Sequence, residues 1–468
     1  MRMLRAGDGV RVRLGYGSLA AVAVLCIVAG VARAQYVEDS IQVSGSWVGS
    51  LAYNSREDVI YGASESADWL FAISCSANTV VAGFPLGCPY DVCYDSVDNK
   101  AYCTFTGDYA DRLAVIDGRT HSFVKAIPME GSTVPVWDPV GDRVYVSCQT
   151  TNSVAVVDCA TDSLLCYIPV GRCPLKMYVN TMRRKLYVLN SDDGTVSIVD
   201  VATNQVIRTV DVGAPISGYY YRRMDKFYCG GNGELVVLDG HADAVVARIQ
   251  VAEDHDVLAV SGSDTRDVVV ASAADMDTRF YAIDAATDVI DTAIQAGDFC
   301  DAVYWSPLSD RFYCTSDYTN EVIVLSGDGR QLLETLRVGD GPFVIAASPV
   351  RRRLYVGHLG CHRVYVIRDA DEPWVPSSEA DTAFALLLDP SPFRTRLSVA
   401  SSTAIPLGEV RVYAPDGRLV RSMNATGSAA SGLRLTWDGR DIQGRLVPPG
   451  VYVVTAAGGA CAKAVKLR

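Results

Sequence analysis

The segment Lys185–Gly213 reads KLYVLNSDDGTVSIVDVATNQVIRTVDVG and contains three short runs rich in β-branched and aromatic residues. Turn-forming residues separate the runs: Asp-Asp-Gly follows the first run, and Ala-Thr-Asn follows the second. Short runs bounded by Asp, Gly and Asn are typical of antiparallel strands joined by tight turns. The segment therefore predicts a small meander of β-strands.

The same pattern recurs along the chain, and a Tyr preceded by an apolar residue marks most copies. These tyrosines are Tyr61, Tyr102, Tyr145, Tyr187, Tyr228, Tyr313 and Tyr355. Their spacings are 41, 43, 42, 41, 85 and 42 residues; the interval of 85 is two periods, with Val269-Val270 at the missing position. The repeat predicts eight units between about residues 46 and 375.

A four-stranded unit of ~40–45 residues is the signature of a β-propeller blade, and such units bury their faces by stacking on neighbours. We therefore predict an all-β protein with an eight-bladed propeller over residues 35–369. Seven blades is the alternative if the irregular stretch 253–297 does not form a blade. The last unit lacks a fourth strand, and we expect a strand at 38–45 to pair with it and remove the open edge.

The units resemble the YVTN family of β-propeller repeats, most closely in the segment Lys185–Gly213. The resemblance extends over roughly 70% of the chain. It implies a propeller but does not specify an activity, because similar propellers serve as surface proteins, binding modules and occasionally enzymes.

Residues 1–34 have the pattern of a cleaved signal peptide. Arginines precede an apolar run from Leu19 to Val31, and Ala32-Arg33-Ala34 follows as an A-x-A cleavage pattern. An uncleaved membrane anchor is the alternative, but the run is shorter than the ~20 residues that a spanning helix needs. We expect a secreted or surface-located protein with no transmembrane segment after cleavage.

The chain carries a formal net charge of −12, which becomes more negative once the arginine-rich residues 1–34 are removed. An acidic surface repels nucleic acid phosphates and can attract cations. We therefore expect a protein or glycan partner at the cell envelope and no nucleic acid.

A linker rich in Pro, Ser and acidic residues is predicted at 370–385, followed by a small module at 386–468. The module resembles the Ig-like β-sandwich of flagellar hook-capping proteins and of type IX secretion sorting domains. Its landmarks are Pro390–Phe393, Val412–Val420, Trp437–Arg445 and Val447–Tyr452. The resemblance implies a role in secretion, attachment or spacing.

Loops of a propeller converge around one mouth of its central channel, and that mouth is the default ligand site. The loops that precede the first strand of each unit provide our candidate binding residues: Tyr90, Asp91, Arg172, Lys176, His255, Asp256 and Asp301. Carboxylates on this face could bind Ca²⁺, although Asp is also the ordinary residue of solvated turns.

The segment His358-Leu-Gly-Cys361-His362 is the sharpest local cluster of metal-ligating side chains. Two imidazoles and a thiol could bind Zn²⁺ or Cu, whereas the structural alternative is a tight hairpin that holds them by packing. The chain has 14 cysteines, whose pairing cannot be deduced from sequence, and Cys88 and Cys93 are close enough to form a bridge.

No nucleophile elbow, HExxH motif or phosphate-binding loop occurs, and we assign no catalytic residue and no cofactor. The leading hypothesis is therefore a non-enzymatic exported binding or scaffolding protein. A metal-assisted lyase or hydrolase acting through the same loop residues, and a structural surface-layer component, are the alternatives.

Overall fold

The structure, a computed structural model, describes residues 35–107, 110–252, 255–274, 278–369, 386–389, 393–401, 409–414, 418–424, 434–455 and 461–467. Within these ranges the chain forms 39 β-strands and one short 3₁₀ helix, Glu65–Ala67. The predicted all-β class is confirmed. The predicted signal peptide (1–34) and linker (370–385) lie outside the described residues.

Eight four-stranded antiparallel sheets are the blades, and the chain begins with β1 (Gln35–Gln42), which belongs to the last of them. Blades 1 and 2 are β2 (Val48–Asn54), β3 (Val59–Ser64), β4 (Trp69–Ser74), β5 (Thr79–Pro85), and β6 (Pro89–Asp95), β7 (Lys100–Gly107), β8 (Ala110–Asp117), β9 (Ser122–Pro128). Blades 3 and 4 are β10 (Ser132–Asp138), β11 (Arg143–Cys148), β12 (Ser153–Asp158), β13 (Ser163–Pro169), and β14 (Pro174–Asn180), β15 (Lys185–Asn190), β16 (Thr195–Asp200), β17 (Gln205–Asp211).

The remaining blades follow the same order. Blades 5 and 6 are β18 (Ser217–Tyr221), β19 (Lys226–Gly231), β20 (Glu234–Asp239), β21 (Ala244–Gln250), and β22 (Val257–Gly262), β23 (Val268–Ala273), β24 (Arg279–Asp284), β25 (Val289–Gln295). Blades 7 and 8 are β26 (Val303–Ser306), β27 (Arg311–Ser316), β28 (Glu321–Ser326), β29 (Leu332–Arg337), and β30 (Pro342–Ser348), β31 (Arg353–His358), β32 (Arg363–Asp369) with β1. Of the two predicted blade counts, the structure has eight.

The first strand of each blade lines the central channel, because the first strands of neighbouring blades contact one another from β2 through β26 and again between β30 and β2. We call these eight the inner strands. The face at which they begin is the upper face, and the face at which they end is the lower face. The core lies between adjacent blades, as in the cluster that joins Tyr61 of blade 1 to Cys103 of blade 2.

β1 completes blade 8 by pairing antiparallel with β32, with Gln35 opposite Asp369 and Gln42 opposite Arg363. The strand expected at 38–45 spans Gln35–Gln42 in the structure. An ion pair between Glu38 and Arg353 reinforces this junction. The pairing covers a backbone edge that would otherwise be open to another chain.

The repeated tyrosines join each blade to the next. Each lies in the second strand of its blade and is almost fully buried. In six of the seven, the hydroxyl reaches toward the end of the third strand of the following blade, whereas the Tyr187 hydroxyl accepts from Asn180 of its own blade (3.2 Å). The hydrogen bonds are Tyr61 to His121 (2.7 Å), Tyr102 to Asp162 (2.8 Å), Tyr145 to Asn204 (3.4 Å), Tyr228 to Asp288 (2.8 Å), Tyr313 to Asp369 (2.7 Å) and Tyr355 to Asn78 (3.0 Å).

Blade 6 is the exception, because Val270 stands where the other blades carry Tyr. The turn of blade 7 that faces it has Gly329, with a φ of 69°. A Cβ atom on Gly329 would lie 2.7 Å from Cγ2 of Val270. An apolar contact with a close backbone approach therefore replaces the hydroxyl bond at the junction of blades 6 and 7.

The C-terminal module contains two sheets. Their strands are β33 (Leu386–Asp389), β34 (Leu397–Ser401) and β37 (Arg434–Trp437), and β35 (Glu409–Tyr413), β36 (Leu419–Asn424), β38 (Gly450–Thr455) and β39 (Cys461–Lys466). The fully buried Trp437 packs edge-on against Tyr452 in the core between the sheets. A β-sandwich core of this kind agrees with the predicted Ig-like module.

The module packs on the lower face of the propeller. Leu308 of blade 7 contacts Tyr413 and Val453 of the module in a buried apolar cluster. The Tyr413 hydroxyl donates to the carbonyl oxygen of Pro307 (3.3 Å), and Arg222 of blade 5 pairs with Asp441 (3.1 Å).

Candidate functional site

Three of the predicted binding residues lie at the upper ends of inner strands. Asp91, Lys176 and Asp301 lie at or just before the beginning of inner strands β6, β14 and β26, which belong to blades 2, 4 and 7. The charge of Lys176 acts on both carboxylates, and theirs on it, so these side chains approach one another across the ring. We call these three residues the channel triad.

Asp91 is held rigidly by blade 1. The hydroxyl of Ser50 donates a short hydrogen bond to Oδ1 of Asp91, and the backbone N–H of Val92 donates to the same oxygen (2.7 Å). Burial raises the pKa of Asp91 to about 6, against the opposing effect of these hydrogen bonds and of Lys176. The carboxylate is therefore fixed in position but only weakly stabilised in its charged form.

The pKa of Asp301, before the inner strand of blade 7, is also raised. Burial and the nearby charge of Asp317 raise the pKa of Asp301 to about 6, although Lys176 acts in the other direction. The Lys176 side chain is accessible to solvent, yet protein surrounds it in the channel, and this burial lowers its pKa. The channel triad thus presents two acceptors and one donor to a group entering from the upper face.

Two other predicted residues hold neighbouring loops. The Arg172 guanidinium and backbone N–H both bind the carboxylate of Asp193, at 2.6 Å each. Asp256 accepts a hydrogen bond from the backbone N–H of Asn232 (2.9 Å). In both cases an acidic side chain binds groups of a neighbouring loop, which is the ordinary role of Asp in solvated turns and the alternative that the sequence also favours.

Tyr90 and His255 lie outside the channel triad. Tyr90 is exposed on the upper face, and burial of its hydroxyl, followed by the charge of Glu65, raises its pKa. His255 lines a separate depression of about 430 Å³ together with Arg279 and Tyr281. The structure therefore divides the predicted binding residues among several places on one face.

Sequence reasoning identified Tyr90 but missed two other aromatic side chains of this face. Trp47, just before β2, and Tyr318, between β27 and β28, are exposed, and the Tyr318 ring lies 5.0 Å from that of Phe299. Trp and Tyr are the residue types most enriched at the energetic centres of protein interfaces. The position of Tyr318 beside Asp317 was a signal that could have identified it, whereas the loop of Trp47 has no acidic residue.

The rim of the channel beside Asp301 is acidic. Asp298, Asp317 and Asp340 lie close enough that burial and the other two carboxylates raise the pKa of Asp317. Oδ1 of Asp298 is buried and has no hydrogen-bond partner among the described residues. The negative charge of this rim favours a cationic or hydrogen-bond-donating partner.

The C-terminal module faces the opposite mouth of the channel. A cavity of about 510 Å³ lies between the module and the ends of the inner strands at the lower face. Its lining includes Tyr178, Tyr219 and Trp305 of the propeller and Pro448, Pro449 and Tyr452 of the module. The module therefore restricts access from the lower face and leaves the upper face as the open approach.

The predicted metal cluster is not assembled. Among the residues that the structure describes, one group of three ligating side chains is close enough to hold an ion, and it does not include His358, Cys361 or His362. His358 ends β31 with its side chain fully buried, whereas His362 is exposed beyond the turn. A hairpin that turns its two imidazoles to different environments cannot direct them at one ion.

His358 is instead a buried aromatic residue beside Tyr365, with 4.9 Å between ring centroids. Burial lowers its pKa to about 4, against a smaller opposing effect of the carbonyls of Val356 and Arg363. Neither ring nitrogen has a hydrogen bond of normal geometry in the described part of the chain. This supports the structural alternative for the segment.

The bridge that the closeness of Cys88 and Cys93 in sequence would permit is not formed. Both are free thiols, as are the other ten cysteines whose state the structure describes. Cys88 occupies a loop position with a φ of 38°, whereas Cys93 lies inside inner strand β6 and is held by the sheet. Closeness in sequence therefore does not place the two sulfurs together.

Comparison with known proteins bears on the two domains separately. Residues 392–460 match the family of FlgD Ig-like domains. The C-terminal module is thus Ig-like, as predicted. No curated protein matches the sequence of this chain.

Two solved structures share the propeller architecture. The chain matches a structure titled "Crystal Structure of Mitotic Checkpoint Complex" with 15% identity and a TM-score of 0.52, over 79% of this chain and 99% of the other. It matches "Crystal structure of the Saccharomyces cerevisiae Sqt1" with 11% identity and a TM-score of 0.60, over 71% and 99%. At these identities the likeness shows the fold alone.

The matched Ig-like segment contributes the residues that face the lower channel mouth, from Ala414 to Tyr452. No helix among the described residues is long and apolar enough to cross a membrane.

Proposed function

We propose that the protein is an exported, non-enzymatic scaffold that binds a protein partner through its upper face. One observation carries this proposal: Lys176 interacts electrostatically with both Asp91 and Asp301 at the channel mouth that the Ig-like module leaves open. The triad contains two acceptors and a donor, of which Asp91 is held in position by hydrogen bonds, and this suits recognition of a polar side chain.

The surroundings of the triad favour a protein over a free small molecule. Exposed aromatic rings, including Trp47, Tyr90 and Tyr318, lie on the same face as the acidic rim. Aromatic anchors surrounded by charged residues are the usual composition of a protein interface. The acidic rim would attract a partner with a basic patch and increase its association rate.

The two ends of the chain supply the rest of the proposal. Export rests on the signal-peptide pattern of residues 1–34. The FlgD-like module at 392–460 would attach the propeller to the cell surface or direct its secretion, by a type IX system where the cell has one. Membership of the YVTN repeat class rests on the sequence pattern of the blades.

The binding proposal is tested by partner capture with matched variants. Purified chain and a variant with Asp91→Asn, Lys176→Met and Asp301→Asn are immobilised separately and exposed to envelope and medium fractions of the source cells. A genuine partner is retained at least about tenfold less by the triple variant and is equally retained by the control Glu234→Gln, which removes an exposed charge away from the channel.

Other outcomes would redirect or end the proposal. If the chain retains a glycan in place of a protein, and the triple variant retains less of that glycan, the partner is a glycan. Equal retention by the parent chain and the triple variant would rule out the channel triad as the binding site. Fractionation of the cells tests export, because the proposal requires the chain in the medium or at the surface.

A further inference from the structure

Several junctions between blades share one arrangement on the lower face. The last residue of an inner strand meets a residue with positive φ in the first turn of the following blade, as Asn54 meets Asn99 (3.2 Å). At the junction of blades 8 and 1 these residues are Ser348 and Asp58, and the Ser348 hydroxyl donates to Oδ1 of Asp58 (2.7 Å). Arg351 pairs with the other oxygen of Asp58 (2.7 Å), so the carboxylate is neutralised.

The junction of blades 2 and 3 has the same backbone but a different charge. Asp95 stands where blade 8 has Ser348, and Asp98 stands where blade 8 has Arg351. The facing residue is again an Asp, Asp142, with a φ of 55°. Two carboxylates therefore face each other at a position where another junction has a complementary pair.

A thiol completes this group. Cys159 follows the third strand of blade 3, as Cys75 follows the third strand of blade 1, and their backbone N–H groups donate to the carbonyls of Asp142 and Asp58. One ligating atom each from Asp95, Asp142 and Cys159 lie within 4.8 Å of one another. Three potential ligands from two blades thus surround one point.

The Asp95 side chain lacks the partners that burial requires. It is fully buried, and its Oδ1 accepts from the backbone N–H groups of Val97 (2.7 Å) and Asp98 (3.2 Å). Its Oδ2 has no hydrogen-bond partner among the described residues. A buried carboxylate oxygen without a donor is costly, and a cation is one way to compensate it.

We propose that Asp95, Asp142 and Cys159 bind one Zn²⁺ ion that stabilises the junction of blades 2 and 3. The donor set of one sulfur and two carboxylate oxygens suits zinc, which accepts both, and a water molecule completes a tetrahedral site. Binding displaces the proton of the Cys159 thiol to solvent, so that the ion is held by the thiolate and both carboxylates. Asp142 is only half-buried, which gives the ion a path from the surface.

The rival explanation is a proton shared by Asp95 and Asp142. Burial, followed by the charge of Asp142, raises the pKa of Asp95 to about 7, and a neutral Asp95 would need no cation. Lys100 lies nearby, but its ammonium is engaged by Asp162 (2.8 Å) and by the carbonyl of Cys159 (2.6 Å). Measurement of metal content separates the two explanations.

The test uses the purified full chain, stripped with a chelator and then titrated with ZnCl₂. We expect one Zn²⁺ per chain after removal of excess metal, and an increase in Tm of about 2–5 °C at saturation. Titration with Co²⁺ should produce a thiolate-to-metal charge-transfer band in the near ultraviolet. Asp95→Ser, which recreates the blade 8 arrangement, and Cys159→Ser should each lose the stoichiometric zinc, the Tm increase and the band.

Cys75→Ser is the matched control, because Cys75 has the same backbone position while its neighbouring carboxylate is already paired. It should keep all three responses. The proposal is wrong if ZnCl₂ leaves the Tm unchanged, as a shared proton predicts, or if Cys159→Ser retains the zinc. Loss of zinc in Cys75→Ser to the same extent would show non-specific binding by free thiols and would also overturn it. If the Asp95→Ser chain in chelator has a Tm no lower than that of the parent chain, its loss of the zinc response is not caused by a folding defect.

Discussion

The hydroxyl of Tyr355 donates to Oδ1 of Asn78 across 3.0 Å and joins blade 8 to blade 1. Arg353, two residues earlier, donates to the carbonyl of Cys75 (2.6 Å) in the same turn. The junction that closes the ring therefore uses the same contact as junctions between blades that are consecutive in the chain.

Tyr355→Phe is expected to lower the free energy of unfolding by about 1–2 kcal/mol, because it removes a buried hydrogen bond and leaves the Asn78 side chain short of a donor. Urea denaturation measures the change. Tyr318→Phe, at an exposed ring, should change it by less than about 0.5 kcal/mol. An equal effect of the two substitutions would contradict the role given to the repeated tyrosines.

Gly329→Ala is expected to destabilise the junction of blades 6 and 7 by about 2–4 kcal/mol, because it combines a positive φ with a steric clash against Val270. Gly213→Ala separates these causes, since Gly213 also has a positive φ but its Cβ would meet open space. It should cost only about 1 kcal/mol. If Val270→Ala does not partly restore the stability of the Gly329→Ala chain, the clash is not the cause.

The channel triad is expected to make stability depend on pH between about 4 and 6. The pKa of Asp301 is raised to about 6 in the folded chain. The stability that protonated Asp301 contributes is therefore fully present below the pKa of this group in the unfolded chain and is lost as pH rises through 6. Asp301→Asn should therefore flatten the decrease in unfolding free energy over this range by about 1–2 kcal/mol. Thermal unfolding from pH 4 to pH 8, with Glu234→Gln as the control, measures this. An unchanged pH profile would show that Asp301 titrates normally.

The contact between propeller and module is expected to depend on Arg222. Arg222→Met leaves the buried Asp441 without its ion-pair partner and should lower the unfolding temperature of the module, at a cost of about 2–4 kcal/mol. Arg223→Met is the control, because Arg223 pairs with an exposed carboxylate, Asp267, and such pairs contribute at most about 1 kcal/mol. If scanning calorimetry finds the same small shift in unfolding temperature for both variants, the stabilising contact lies elsewhere, in the cluster around Leu308.

The architecture could be predicted because its signal is repeated. The Tyr positions indicated the blades, and Val269-Val270 marked the blade that lacks Tyr. What the tyrosines do could not be read from the spacing. Six of the seven hydroxyls bind a residue near the end of the third strand of the following blade, which is 57–60 positions away for Tyr61 and Tyr102.

The sites were predictable only in part. Asp91, Lys176 and Asp301 could be chosen because loops before inner strands must reach one mouth of the channel. The partners of Arg172 and Asp256 could not, because a loop carboxylate binds backbone as readily as it binds a ligand. Asp95, Asp142 and Cys159 were missed because their proximity depends on how blade 3 packs on blade 2.

The pairing of β1 with β32 also sets the order in which the molecule can be assembled. A chain made from its N-terminus presents Gln35–Gln42 first, yet the backbone that this strand binds, Arg363–Asp369, arrives after every other blade has been made. Seven sheets can therefore form one after another before the eighth sheet is complete. The final step pairs segments from the two ends of the propeller sequence. Pairings between segments that are distant in sequence form slowly, so this closing step is expected to be slow. A chain truncated before residue 363 should remain an unclosed arc with a free edge that is prone to association.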